Sequence, residues 1–393
     1  MKLRKSSVEV LGLSLAGAIG LTTMAVFAAC GGTSDPSTTD AGSSDGATQE
    51  TSASSDGSSA TCTSDPSTAA HVSAVVDAAN ALLAKLTTDQ QKTVQYTSSL
   101  ANAEQWSNLP TSMIPRNGVK LGDMSTEART AALALIQLAA GSTGGTLFTE
   151  LAAADQWLVT NGGAPTSSYG DGLYYVAFVG TPSTSTAWTL QIAGHHLAYN
   201  FSYAAQCTSA TPLFDGVEPT SWDDGTTHAP LEAQRATVVA LLATLTGTAD
   251  AKLSGTYSDL IAGPANQNGK GDSRYPNLGY PTGTIGRGVA GSSLSTAQRA
   301  LLKTTLEAWV KNVADPISSV LLAQYESDAA LDATFVAYSG SADLSTQASY
   351  FRIDGPRAWI EFTVQGGILY KNKVHYHTSW RDKVADYGAQ WQQ

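Results

Sequence analysis

The chain has 393 residues, a net charge of −11 and only 14% charged residues. Its 22 lysines and arginines form no cluster, and phosphate binding needs clustered cations, so nucleic acid is not an expected partner. The length allows one large domain beyond a polar N-terminal stretch.

Lys2, Arg4 and Lys5 precede an apolar run, Val8–Phe27, which ends in Phe27-Ala28-Ala29-Cys30. This is the pattern of a bacterial secretory signal. Small residues before the cysteine resemble a lipoprotein signal, in which Cys30 becomes the lipidated first residue, although Phe27 stands where leucine is usual. The reading is a signal peptide over residues 1–29, export across the cytoplasmic membrane, and attachment to a membrane through lipidated Cys30. Gly31 after the cysteine points to the outer membrane or cell surface. Ordinary cleavage, or a retained anchor helix long enough to span a bilayer, is the alternative. Residues 30–67 are Ser, Thr, Gly, Asp and Ala, too poor in large apolar side chains to form a core, and read as a flexible tether. Residues 68–393 read as a single domain. In an exported protein, Cys62 and Cys207 are expected to pair as a disulfide.

Helical spacing comes first. Val72, Val75, Val76, Ala79, Leu82 and Leu83 recur on one helical face. Thr87-Thr-Asp-Gln90 has the form of a capping box. Thr126–Ala140, entered through Ser125, and Leu147–Val159 give two further helices. Leu231–Leu245 follows Pro230, a favoured first helical residue. Ser295-Thr-Ala-Gln298 caps Arg299–Val313, and Pro316 opens another helix through Tyr325. The starts TTDQQKTV, STEARTAA, LEAQRATV and STAQRALL look alike. Capping chemistry accounts for that likeness, with a degenerate internal repeat as the alternative.

Strand-like runs form two blocks. The first is Leu173–Val179 and Ala187–Tyr203; the second is Ala333–Tyr338, Ser349–Asp354, Arg357–Gln365 and Val374–Trp380. Short turns between consecutive strands imply antiparallel pairing, so the expected class is α+β, an antiparallel sheet of meanders and hairpins packed with several helices. Asn266–Gly291 is a long Gly/Asn/Pro-rich loop, expected to serve as a lid or binding edge. Its Gly269-Lys-Gly-Asp lacks the spacing of a phosphate loop.

Chemistry concentrates in Tyr350–Gly388. A hairpin centred near Leu369 would set Glu361 opposite His377 and Thr363 opposite His375, close enough to share one ligand. His195 and His196 lie in the first block, where neighbours on a strand point to opposite faces unless Gly194 marks a bulge. A metal set of His195 or His196, His375, His377 and Glu361 would suit zinc, copper, iron or manganese, and an open position would activate water or oxygen. Without a metal, His377 would act as general base, Glu361 would orient it, and Arg352 or Arg357 would bind an anionic group. No G-x-S-x-G elbow occurs. The plain readings are core packing for Trp188, Trp222, Trp359 and Trp380, an ion pair of Arg381 with Asp382 or Asp386, and a turn at Asp223-Asp224-Gly225.

Six ordered motifs carry a resemblance. They are Phe178-Val-Gly180-Thr-Pro182, Trp188…Gly194-His195-His196-Leu197, Thr211-Pro-Leu-Phe214-Asp-Gly216-Val-Glu218-Pro219, Tyr350-Phe-Arg352-Ile-Asp-Gly355-Pro356, Glu361-Phe362…Gln365, and His375-Tyr-His377…Arg381-Asp382…Asp386-Tyr387-Gly388. Over nearly the whole chain after residue 85 the sequence resembles the bacterial family called domain of unknown function 3500. The resemblance implies a family and no reaction, and its motifs coincide with the polar constellation. Two functions follow as expectations: a metal-dependent hydrolase or oxidase, or a non-catalytic surface module for a glycan or other small ligand.

Overall fold

The computed structural model describes residues 63–391 apart from 206 and 266–270. The expected signal, Cys30, Cys62, the tether up to residue 62 and the Gly269-Lys270 stretch lie outside the described residues, while the last residues of the expected tether form the strand Thr63–Ser64 and the start of the helix Pro66–Leu83. Eight strands form the spine of the fold: β1 Tyr175–Val179, β2 Trp188–Gly194, β3 Leu197–Ala204, β4 Leu213–Val217, β5 Phe335–Ser339, β6 Tyr350–Asp354, β7 Ala358–Gly366 and β8 Val374–Asp382. They stand in the order β5-β6-β7-β8-β4-β3-β2-β1, all neighbours antiparallel, within a sheet of thirteen strands among the described residues. Two four-stranded meanders thus meet along β4 and β8. The class is α+β.

Five longer helices pack on one face: α1 Pro66–Leu83, α2 Thr126–Asn161, α3 Glu232–Ala243, α4 Thr296–Val310 and α5 Asp315–Tyr325. The two helices expected over 126–159 form one element broken at Gly141, whose backbone is non-helical. Val75, Leu135, Leu241 and Leu306 join Ile192, Phe201, Ile353 and Trp380 in the main core. Loops cover the other face, where Trp106 packs with Phe214, and Trp359 with Tyr275 and Tyr387. Both faces are therefore buried. The alternation seen in Arg357–Gln365 separates a helix-covered face from a loop-covered one, and polar residues on the latter, such as Gln191, Asn200 and Glu361, are buried as well.

The halves of the sheet repeat one another. Ala81-Leu-Leu-Ala-Lys-Leu86-Thr87 at the end of α1 matches Ala240-Leu-Leu-Ala-Thr-Leu245-Thr246 at the end of α3. Gly118-Val119…Met124-Ser125-Thr126…Arg129 matches Gly288-Val289…Leu294-Ser295-Thr296…Arg299, and Tyr175-Val-Ala-Phe-Val-Gly180 matches Phe335-Val-Ala-Tyr-Ser-Gly340. The structure repeats along with the sequence. Val119 pairs with Val176 as Val289 pairs with Val336, and the parallel contact of Gln95 with Phe178 recurs between Lys252 and Tyr338. A Cβ on Gly118 would come within 2.0 Å of the Val176 carbonyl oxygen, and one on Gly288 within 2.2 Å of that of Val336. Further on, Gln191 pairs with Asn200 as Arg352 pairs with Glu361, and Leu197 with Asp215 as Ala358 with Asp382. Capping chemistry produces similar helix starts, but it does not produce matched registers. The repeat is the better account of the likeness.

Cys207 is disulfide-bonded, and its partner lies outside the described residues. Thr63–Ser64 pairs antiparallel with Cys207–Ser209, so the chain just after Cys62 runs beside the strand that carries Cys207.

Candidate metal centre

Ala187–Tyr203, expected as one strand, is two strands joined by a tight turn at His195-His196. His196 has φ +58°, a left-handed conformation that re-aims its side chain. The rings of His195 and His196 stack 3.8 Å apart instead of pointing to opposite faces. The turn is anchored by backbone bonds, from the His196 N–H to the Asn108 carbonyl at 3.2 Å and from the Gly216 N–H to the His196 carbonyl at 2.7 Å. Arg116 clamps it from the loop side, donating to the carbonyls of Ser107, Leu109 and Gly194 at 2.6, 2.5 and 2.8 Å.

β8 brings the second histidine pair. His375 and His377 lie on the same face of this strand, paired with Gln365 and Thr363 of β7. His377 is also registered with Gly216 of β4. A Cβ at Gly216 would sit 2.9 Å from His377 Cδ2 and 3.0 Å from His196 Cγ, so glycine leaves the room the two rings fill. The Nε2 atoms converge: His375 to His377 at 3.2 Å, and His377 to His196 at 3.2 Å. One nitrogen from each of the three rings lies within 4.8 Å of the others, and all three residues are buried.

Three neutral imidazoles meeting nitrogen to nitrogen are poorly served by one another. Each carries one N–H, and the Nδ1 atoms of His375 and His377 are buried with no hydrogen-bond partner in normal geometry. Burial depresses the proton affinity of all three, strongly for His196 and His377, and neighbouring imidazoles add to the effect on that pair. Glu218 and the Gly366 backbone oppose the shift at His375. The cluster therefore presents lone pairs rather than charges at neutral pH. A tetrahedral ion with metal–nitrogen bonds of about 2.0–2.1 Å has ligand edges of about 3.3–3.4 Å, close to the two 3.2 Å separations. Three buried histidines here lie close enough to hold a metal ion.

Supporting groups surround the trio. Asp155, from the second half of α2, bonds His195 Nδ1 at 2.6 Å, and its other oxygen accepts the Gly170 N–H at 2.8 Å. Tyr169 packs edge-on against His195 at 4.8 Å. Glu218 accepts the N–H groups of Leu369 and Tyr370, both at 2.8 Å, and so ties down the tip of the β7–β8 hairpin. Asp155, Tyr169 and Arg116 were not among the residues singled out from the sequence, and Gly216 and Glu218 stood there only in a family motif, with no role given. For Asp155 the available signal was its place among the alanines and large apolar residues of Leu151–Val159, where it is the one carboxylate.

Glu361 is not part of the cluster. The hairpin centres at Tyr370 rather than Leu369, so Glu361 faces Ser379 while Thr363 faces His377. Parity keeps Glu361 on the face that carries the histidines, but its carboxylate is taken up elsewhere. It accepts the N–H groups of Ile261 and Ala262, the Tyr350 hydroxyl and the Trp359 indole, at 2.6, 2.8, 2.8 and 2.7 Å. Arg352 is also remote from the trio, donating to the Gly286 carbonyl at 2.5 Å with its guanidinium 5.7 Å from the Trp359 ring. Arg357 pairs with Asp382 at 2.7 Å and with Gln324. Arg381 bonds Asp272 and Asp386, with Asp382 paired to Arg357 instead.

Asp215, next to Gly216, supplies a pH test. Its carboxylate is fully buried with both oxygens unpaired, and burial pushes its pKa up to about 7, a rise the nearby Tyr199 hydroxyl only partly offsets. A carboxyl that holds its proton more tightly folded than unfolded loses stability as it ionises, progressively from the ordinary value up through the folded one. Asp215→Asn should therefore be more stable than the parent at pH 8 by about 4 kcal/mol, with the gap closing by pH 4. Urea unfolding at both pH values checks this, and equal stability at pH 8 would contradict it.

No curated protein and no solved structure matches the chain. A family model does match, over residues 68–389, a span that holds both repeats and all four clustered histidines, and the chain belongs to the family it describes, Protein of unknown function (DUF3500).

Proposed function

We propose that His196, His375 and His377 bind one transition-metal ion through their Nε2 atoms and that the protein is a metal-dependent hydrolase. The observation that carries this reading is the convergence of three buried Nε2 atoms, two pairs of them 3.2 Å apart. A donor set of neutral imidazoles without a carboxylate favours zinc, copper or iron over manganese. Three protein ligands leave a fourth position open, and an ion bound this way lowers the pKa of a water there to about 7. The protein's own residues do the remaining work. Asp155 fixes the ring of His195 through Nδ1, holding a further imidazole stacked on His196 beside the ligands. Glu218 holds the hairpin tip, and Gly216 keeps the space between strands clear for the rings.

Elemental analysis of the untagged protein tests the assignment, with about one metal ion per chain expected. No metal after reconstitution with zinc, copper, manganese and iron(II) would overturn it. Copper or iron as the native ion would move the reading from hydrolysis to oxidation. We place the active domain outside the cytoplasmic membrane, held by a lipid on Cys30. Cys30→Ser should then release the mature chain or leave the precursor uncleaved, and an unmodified Cys30 in the mass spectrum of the native protein would refute the anchor.

A further inference from the structure

Where the two repeats differ, two additions converge. The second half of α2 runs from 142 to Asn161, whereas its counterpart α5 has 11 residues and stops at Tyr325. The hairpin of Trp222–Asp223 and Thr227–His228 follows the first repeat, forms a sheet of its own, and has no counterpart among the described residues after β8. These two additions face one groove of about 500 Å³. From the helix come Gln156, Trp157 and Asn161, and from the hairpin Trp222 and Asp224, with the Arg129–Asp171 pair at the same groove. Parts added to a repeated scaffold that build one concave surface are a mark of recognition, since the core of the other repeat stands without them.

The groove is built rather than incidental. The Trp222 ring lies flat on His228, centroids 4.7 Å apart and planes within 5°. His228 is held in turn by Glu150 at 2.7 Å and Asp224 at 3.2 Å. Trp157 stands 6.3 Å from Trp222, tilted by 32°. The hairpin tip closes on itself through the Gly225 N–H to Asp223 and the Thr226 N–H to Asp224. The part-exposed Trp157, backed by the buried Trp222 and set beside amide and carboxylate groups, suits a ligand with an apolar face and an equatorial rim of hydroxyls. Charge narrows the class further. Arg129 is already paired with Asp171, and Asp224 and Glu150 add negative charge around His228, so an anionic ligand would meet repulsion.

We propose that this groove binds a neutral saccharide, independently of the histidine cluster. The cluster takes Asp155 from the same helix, but Asp155 turns toward His195 while Gln156 and Trp157 line the groove. The test is calorimetric titration of the intact chain with maltotriose, cellotriose and chitotriose, read in parallel by tryptophan fluorescence. At least one should bind saturably, with Trp157→Ala weakening it by about tenfold or more. Asn161→Ala, a milder change, should weaken the same sugar and keeps the test open if the tryptophan variant fails to fold. Metal-depleted protein should bind the sugar unchanged, which separates this proposal from the metal assignment. No saturable binding of any of the three at about 10 mM, or binding indifferent to both substitutions, would overturn it.

Discussion

Alanine at His377 should strip the metal from the purified protein, lowering its affinity by more than about a hundredfold. His377 is the middle of the cluster, its Nε2 lying 3.2 Å from both His375 Nε2 and His196 Nε2. Without it the two remaining donors flank a gap, and two imidazoles in a buried site are a weak chelate. The ring itself makes no hydrogen bond through Nδ1, so its removal costs the fold little beyond lost packing against Phe214. A ligand that binds only the folded state stabilises it by about 4 kcal/mol at a thousandfold excess over its dissociation constant. The parent should therefore unfold at a higher temperature with metal than without, and His377→Ala should show no such difference. His195→Gln is the control, because it removes the ring held by Asp155 but no Nε2 of the trio, and it should keep its metal. Equal metal in His377→Ala and the parent would refute the assignment.

The second large effect is structural. Arg381→Met should cost about 3–5 kcal/mol at neutral pH, because it leaves carboxylates buried without their cation. Arg381 is fully buried and bonds Asp272 at 2.5 Å, Asp386 at 2.8 Å and the Ala262 carbonyl at 2.7 Å. The network extends further, since the Tyr387 hydroxyl donates to Asp272 at 2.5 Å and accepts the Trp106 indole N–H at 2.9 Å. One guanidinium thus ties the loops near 106, 262 and 272 and the C-terminal turn to β8. Burial already pushes Asp386 up to about 6 and raises Asp272, with Arg381 opposing both shifts. Removing the cation raises both further, so the variant's deficit is largest where the carboxyls must ionise and shrinks as acid protonates them. Urea unfolding at pH 5 and pH 8 should show a smaller loss at pH 5. An equal loss at both would mean that packing rather than charge accounts for it.

Helix caps and strand runs were legible because they depend on neighbours in sequence. Ser125 and Ser295 cap the helices they were expected to open, and β7 and β8 fall where alternation placed them. The site was legible in its residue types but not in its geometry. Nothing in His195-His196 announces a turn, since neither is a glycine or asparagine, and the left-handed backbone of His196 is imposed by the strands on either side. The register of β7 against β8 was misplaced by two residues because it depends on the length of the connecting loop, which Glu218 fixes from a distant strand end. Glu361 was assigned to the histidines because two of its four real partners are backbone amides 99 and 100 residues away, and the Tyr350 and Trp359 side chains join them only once the strands pair. Asp155 meets His195 across 40 residues of chain. The repeat was visible as short matched phrases, and only paired registers give them weight.

In a symmetric pair of separate chains, any side chain added at one place would appear at its mate as well. A fused chain escapes that constraint. Here Gly194-His195-His196-Leu197 of one repeat corresponds to Gly355-Pro356-Arg357-Ala358 of the other. The first turn donates an imidazole to a cluster completed by β8 of the second repeat, while the second turn holds a salt bridge to Asp382. One half-turn about the sheet thus relates a histidine corner to a salt-bridged one, and two-fold architecture supports a single, lopsided cluster.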